Sequence, residues 1–236
     1  MSINRVIITI ISILFFLSSC NKDIIVPGKV KLSLEFIHSY NNKSILWDTL
    51  VYSTCNSDTI SISKIEYIVS NIVVYSRGSA YKQKRSFYVN PRQNKTVLQL
   101  DSVMGFYYDS LSFTLGDNHP YDSLNTDIVS MQWPMMMGGG FHFLKLEGYY
   151  RKNSLPTGYA MHTGGNNLNP IKIVLKYPLH LTKSEHTFVI EHKIDQWFES
   201  KQCYKVSDAN YSMGVDSLMQ IINENGRTCF KPVQLK

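Results

Sequence analysis

Lys29-Val30-Lys31-Leu32-Ser33-Leu34-Glu35-Phe36-Ile37-His38 is the stretch on which the fold assignment turns. In an extended chain Val30, Leu32, Leu34, Phe36 and His38 fall on one side. Lys29, Lys31, Ser33, Glu35 and Ile37 fall on the other. Alternation of period two marks a strand with one face buried.

Downstream, further strand-like runs occupy 59–75 (with a break), 86–90, 96–100, 108–115, 141–150, 171–177 and 186–193. Turn signals separate them: Arg77-Gly78, Gly116-Asp117-Asn118, Gly138-Gly139-Gly140 and Gly164-Gly165-Asn166-Asn167. The 15 tyrosines and 11 phenylalanines add residues that favour strands. Many short strands with such punctuation predict an all-β fold, an antiparallel β-sandwich. Short peripheral helices are expected at 194–200 and 214–224. No internal repeat or low-complexity tract interrupts 29–236, which suits one domain.

Upstream, Arg5 precedes the apolar run Val6 to Leu17, and then Leu17-Ser18-Ser19-Cys20 follows. The run is shorter than the ~20 residues a membrane-spanning helix needs. It fits the apolar core of a secretory signal. A cysteine directly after small residues resembles the lipobox of bacterial lipoproteins. Residues 1–19 are therefore expected to be a signal peptide and Cys20 the lipidated first residue of the mature chain. Residues 20–28 would be its tether, ending at Pro27-Gly28. Several acyl chains on one residue anchor stably where a single chain would not. The expected location is the cell envelope, as an outer-membrane lipoprotein facing the periplasm or the cell surface.

The full chain carries a formal charge of +6. Loss of Arg5 with the signal leaves a modestly basic mature chain without a Lys/Arg stripe, so nucleic acid is not implied. Cys55, Cys203 and Cys229 remain, and an oxidising compartment permits a disulfide. Three pairings are open. Cys203 and Cys229, both near the C-terminus, are the expected pair, with Cys55 then free. The absence of C-x-x-C argues against a zinc ribbon, a c-type haem or a thioredoxin-like centre.

Five stretches resemble the MbnP-like proteins. Ser63-Lys64-Ile65-Glu66-Tyr67-Ile68-Val69-Ser70-Asn71-Ile72 resembles one family strand, and Leu111-Ser112-Phe113-Thr114-Leu115-Gly116 the core strand that follows. Met131-Gln132-Trp133-Pro134, then Met137-Gly138-Gly139-Gly140-Phe141-His142-Phe143-Leu144-Lys145-Leu146-Glu147-Gly148, then Tyr159-Ala160-Met161-His162-Thr163-Gly164-Gly165 resemble its central motif. The resemblance implies a periplasmic or surface copper-binding protein. Copper would sit near histidines and a tryptophan oxidised to kynurenine by a di-haem peroxidase-like partner. The chain departs from the family's W-x-W or W-x-H pattern, because Pro134 and Met135 follow Trp133.

Copper accepts imidazole, and thioethers favour copper(I). The candidate ligands are His38, His142 and His162. By strict alternation His142 shares a face with Leu144 and Leu146, as a ligand or as a core histidine. His162 stands before Thr163-Gly164-Gly165 and reads as a loop residue, either functional or merely exposed. His38 closes the inward row of the first strand. Trp133 is either packing or the oxidation target. Met135-Met136-Met137 is either a copper(I) trap or adaptable packing. His186 and His192, in the charged stretch KSEHTFVIEHK, read as surface residues.

The competing reading is a non-catalytic ligand- or partner-binding envelope lipoprotein using its aromatic residues. G-x-S-x-G, H-E-x-x-H and an evident carboxylate pair are all missing, so an enzyme is not expected.

Overall fold

The alternation of residues 29–38 is realised in strand β1 (Lys29–Tyr40), where Val30, Leu32, Leu34 and Phe36 are buried and Ile37 faces out. The computed structural model describes residues 28–119, 125–152 and 155–236. The expected signal peptide and Cys20 lie outside the described residues.

Fourteen further strands follow: β2 (Lys43–Ser44), β3 (Tyr52–Ser53), β4 (Thr59–Ile60), β5 (Lys64–Ser76), β6 (Ser79–Lys82), β7 (Phe87–Val89), β8 (Val97–Gln99), β9 (Val103–Met104), β10 (Tyr107–Leu115), β11 (His142–Lys152), β12 (Leu155–Gly164), β13 (Ile171–His180), β14 (Glu185–Lys193) and β15 (Phe230–Leu235). Three short α-helices accompany them: α1 (Thr126–Val129), α2 (Gln196–Glu199) and α3 (Asp216–Gly226).

The strands form two sheets. The smaller runs β15-β14-β1-β2, with β8 and β9 also paired to β1. The larger runs β13-β10-β5-β11-β4-β3, with β12 on β11 and β6 and β7 on β5. Pairing is antiparallel except between β1 and β14, which run parallel. The fold is thus an all-β sandwich with short helices. Between the sheets, Phe36 of β1 meets Tyr67 of β5, Phe113 of β10 and Phe230 of β15 edge to face, at centroid distances of 5.7–6.1 Å. Such contacts add to the burial of the rings themselves.

Alternation along β5 and β11 assigns each residue a side. Ile65 and Tyr67 pair with Leu146 and Leu144 and face the inner core. Lys64 and Glu66 pair with Glu147 and Lys145 and face outward. Gly148 is fixed by proximity: a Cβ there would stand 2.0 Å from the Ser61 carbonyl oxygen. It serves a close backbone approach.

The disulfide differs from the expected one. It joins Cys55, in the loop between β3 and β4, to Cys203, just after α2, across a sequence separation of 148. Cys229 is free and fully buried, its thiol directed at the Asn225 carbonyl at 3.4 Å. The C-terminal turn carries Cys229 into the core between α3 and β15, while Cys203 remains at the surface. Burial pushes the Cys229 thiol well above its ordinary range.

Candidate metal centre on the outer face of the larger sheet

β11 and β12 form a long hairpin in which Lys145 pairs with His162 and Glu147 with Ala160. The ladder slips by one residue between His142 and Leu144. This bulge breaks the alternation that would put His142 on the inner face with Leu144. The ring of His142 instead lies against that of His162, centroids 5.0 Å apart and planes at 82°. His162 is a strand residue, not the loop residue expected. It is on the outer face because its neighbour across the ladder, Lys145, is.

A chain of charged groups backs this pair. His162 Nε2 lies 3.0 Å from Glu147 Oε1, and Glu147 Oε2 lies 3.0 Å from Lys64 Nζ. Burial alone would raise the Glu147 pKa. The hydrogen bonds from His162 and Lys64 outweigh it and bring the carboxyl down to about 2. The His162 backbone N–H donates to Ser212 Oγ at 2.7 Å, and Ser212 Oγ donates to the His162 carbonyl at 2.7 Å. The strand is thereby pinned beside the two rings.

The segment before β11 roofs the site. Trp133 N–H donates to the Gly140 carbonyl at 2.8 Å, closing a loop around a single 3₁₀ turn, Met135–Met137. Gly138, Gly139 and Gly140 all have positive φ, which glycine adopts without steric penalty. The Trp133 indole lies 4.7 Å from the His142 ring, and its Nε1 donates to the Met137 carbonyl at 3.2 Å. Opposite the indole is Gly165, where a Cβ would come within 3.1 Å of Nε1. Beside it opens a cleft of about 410 Å³, lined among others by Trp133, Met136, Met137, Gly165 and Met219.

His142 is 5% exposed, and its Nδ1 is buried without a hydrogen-bond partner. Burial, with a smaller push from Lys145, lowers its pKa to about 3, so the ring is neutral and keeps a lone pair. Among the described residues no three His, Cys, Asp or Glu side chains are grouped to hold a metal ion. What the site offers is two imidazoles with thioethers at the mouth of the cleft. That set suits copper(I) better than zinc, whose sites use three or four protein ligands.

His38 does not join this centre. It is on β1 of the smaller sheet, its Nε2 3.1 Å from the Tyr67 hydroxyl of the larger sheet and its ring 5.3 Å from His192. The expected trio therefore divides: His142 and His162 meet beside Trp133, and His38 pairs elsewhere. His186 and His192 are not surface residues, being 7% and 0% exposed. β14 lies between β1 and β15, and His192 stands opposite His38 in the ladder. The Trp197 indole N–H donates to His192 Nε2 at 2.7 Å, and Phe230 stacks on the ring at 4.2 Å. Indole can only donate, so in the neutral ring the proton of His192 is on Nδ1. Its lone pair is already engaged, and the pair is core structure. Nothing in the sequence marks this contact except the spacing of His192 and Trp197 across a strand-to-helix junction.

The inner pair makes stability depend on pH. Burial lowers the His38 pKa from 6.5 to about 3. Burial, then His38, lowers that of His192 well below 6.5. The unfolded chain takes up protons in this window that the folded chain refuses. Stability is therefore complete above pH 6.5 and declines as pH falls toward 3. Near pH 5 the His38 contribution should cost the folded state about 2 kcal/mol, and that of His192 has the same sign. Urea midpoints at pH 7.5 and pH 5 check this, and equal midpoints would refute it.

No curated protein matches the chain. Among solved structures, MbnP from Methylosinus trichosporium is similar with a TM-score of 0.48 and 10% identity, over 75% of this chain and 80% of that one. The sequence pattern of the MbnP family matches residues 29–219, from the first residue of β1 into α3. Both histidines, the roofing indole and the methionines of the cleft fall within that span, and the chain belongs to the MbnP family.

Proposed function

We propose that this protein binds one copper(I) ion as cargo through His142 and His162, beside Trp133, at the cell envelope and without turnover. The observation that carries the reading is the unpartnered, buried Nδ1 of His142, on a ring whose centroid lies 5.0 Å from that of a second imidazole. An unsatisfied buried polar atom costs about 1–3 kcal/mol in a folded protein. A metal ion accepting that lone pair would remove the cost. The cleft beside the indole gives a route from solvent, and Met136 and Met137 line it with soft sulfur. Bound copper would supply a soft Lewis-acidic and redox-active centre. The chain's own part is to orient two rings and shield them with the indole.

The surface disulfide Cys55–Cys203 supports an exported protein, since such bonds persist in oxidising compartments. Cys20 supplies the proposed lipid anchor. Among the described residues no helix is long and apolar enough to cross a membrane. Oxidation of Trp133 to kynurenine by a di-haem peroxidase-like partner belongs to the same proposal. A second reading, a metal-free partner-binding lipoprotein, draws on the exposure of Met135 (85%) and Met136 (100%) at the cleft's rim.

Competition of the purified protein with a chromophoric copper(I) chelator tests the first reading. The expected result is uptake of one copper(I) per chain. No uptake would leave the second reading in place. Peptide mass analysis of protein from its native cell reads the state of Trp133 directly.

A further inference from the structure

We infer that Glu147, held by Lys64, is a positioning residue that presents Nδ1 of His162 to the metal. This deepens the copper reading and rests on it.

A neutral imidazole carries one N–H and one lone pair, and its hydrogen bonds decide which nitrogen has which. Glu147 Oε1 is 3.0 Å from His162 Nε2. Its two oxygens also take Lys64 Nζ at 3.0 and 3.1 Å. A carboxylate bound to an ammonium group can only accept. The bond to His162 therefore has one direction: Nε2–H donates, and the lone pair is on Nδ1. Carboxylates placed in this way behind histidines orient the ring and raise its basicity toward a metal. Glu147 can do so because it stands two residues along β11 from Lys145, the ladder partner of His162. The ladder also sets Lys64 directly across from Glu147, on β5. The geometry assigns the ligand atom of His162 as Nδ1, the one that Glu147 leaves bare, beside His142, whose own Nδ1 is unpartnered.

The contrast with His192 shows what the acceptor does. There an indole donor takes the lone pair of Nε2 and puts the proton on Nδ1. In His162 an acceptor takes the proton of Nε2 instead. A buried and a half-buried histidine of one sandwich thus have opposite tautomers, and the acceptor-backed one stands beside a second, unpartnered imidazole.

The test uses ¹⁵N-histidine-labelled, metal-free protein and long-range ¹H–¹⁵N correlation, which identifies the protonated ring nitrogen. The unmodified protein is expected to show His162 protonated on Nε2. Glu147→Gln keeps an oxygen that accepts from both His162 and Lys64, and should keep that tautomer. Glu147→Leu removes the acceptor and should give a mixture, with copper(I) affinity lower by about 10- to 100-fold. Protonation on Nδ1 in the unmodified protein, or an unchanged tautomer and affinity in Glu147→Leu, would overturn the assignment. Failure of the copper reading looks different: the expected tautomer with no copper(I) uptake by the unmodified protein, which overturns the metal role of both residues.

Discussion

Replacing His142 and His162 together by alanine should reduce copper(I) affinity by on the order of 100-fold or more. Outer partners of a ligand already contribute about 10–100-fold, and these two residues are assigned the ion itself. Each single variant should weaken binding, but the pair should act as a unit. With one imidazole gone a single ring remains, and among the described residues no group of three or more His, Cys, Asp or Glu could hold the ion instead. Because His142 is buried, a cavity-forming variant will also lose some stability, so circular dichroism of each variant accompanies the titration. The informative control is His38→Gln. His38 is on the smaller sheet, bonded to Tyr67, and its replacement should leave affinity within about twofold, the scatter expected when two sites share no partner. Unchanged affinity in the double variant, or a collapse in the control, would sink the assignment.

The second large effect concerns the covalent link. Cys55→Ser with Cys203→Ser should lower stability by about 5 kcal/mol in the loop-entropy account, because the bond closes a loop of 148 residues. Residual structure in the unfolded chain reduces that figure, and a loss of 2–5 kcal/mol is the working range. The bond ties the β3–β4 loop to the segment after α2. Two further bonds follow the same path: Asn56 Nδ2 to Ser207 Oγ at 3.3 Å, and Ser207 N to Asp58 Oδ2 at 3.0 Å. Chemical denaturation with and without a thiol reductant gives the comparison. Cys229→Ala should keep the full reductant effect, since Cys229 has no sulfur partner and the Cys55–Cys203 bond is retained. A reductant effect that survives in the double serine variant would contradict the pairing.

The contrast between what could be read and what could not follows from which forces act locally. β1 was legible because one face is buried along its whole length and period two shows directly. β10 was legible for much the same reason, and β5 as an apolar run, since Tyr67 to Ser70 are buried on both its faces. β12 was not: Leu155-Pro156-Thr157-Gly158 opens it with residues that weaken strands, and its pairing with β11 supplies the order. β15 holds Pro232, and as an edge strand it tolerates one. Of the site, Trp133, His142 and His162 were recognised and do meet. The face of His142 was misread, because a bulge at Phe143 is invisible to a count by twos. Glu147 carries no mark of a role in the sequence, because its partner lies fifteen residues on and is brought close only by hairpin register. The charged neighbours of His192 suggested solvent, but β14 has a strand on each side and both sheet edges are elsewhere. The cysteine pairing failed because proximity in sequence is a poor guide where the chain end turns inward.

The parallel pairing of β1 with β14 sets a delay. Lys31 finds its ladder partner Glu185 only after 154 further residues have been made. At ordinary rates of translation that is on the order of ten seconds. During this interval the first strand has an apolar face and an open edge, which invites aggregation. The smaller sheet therefore closes only once the last fifth of the chain has been made.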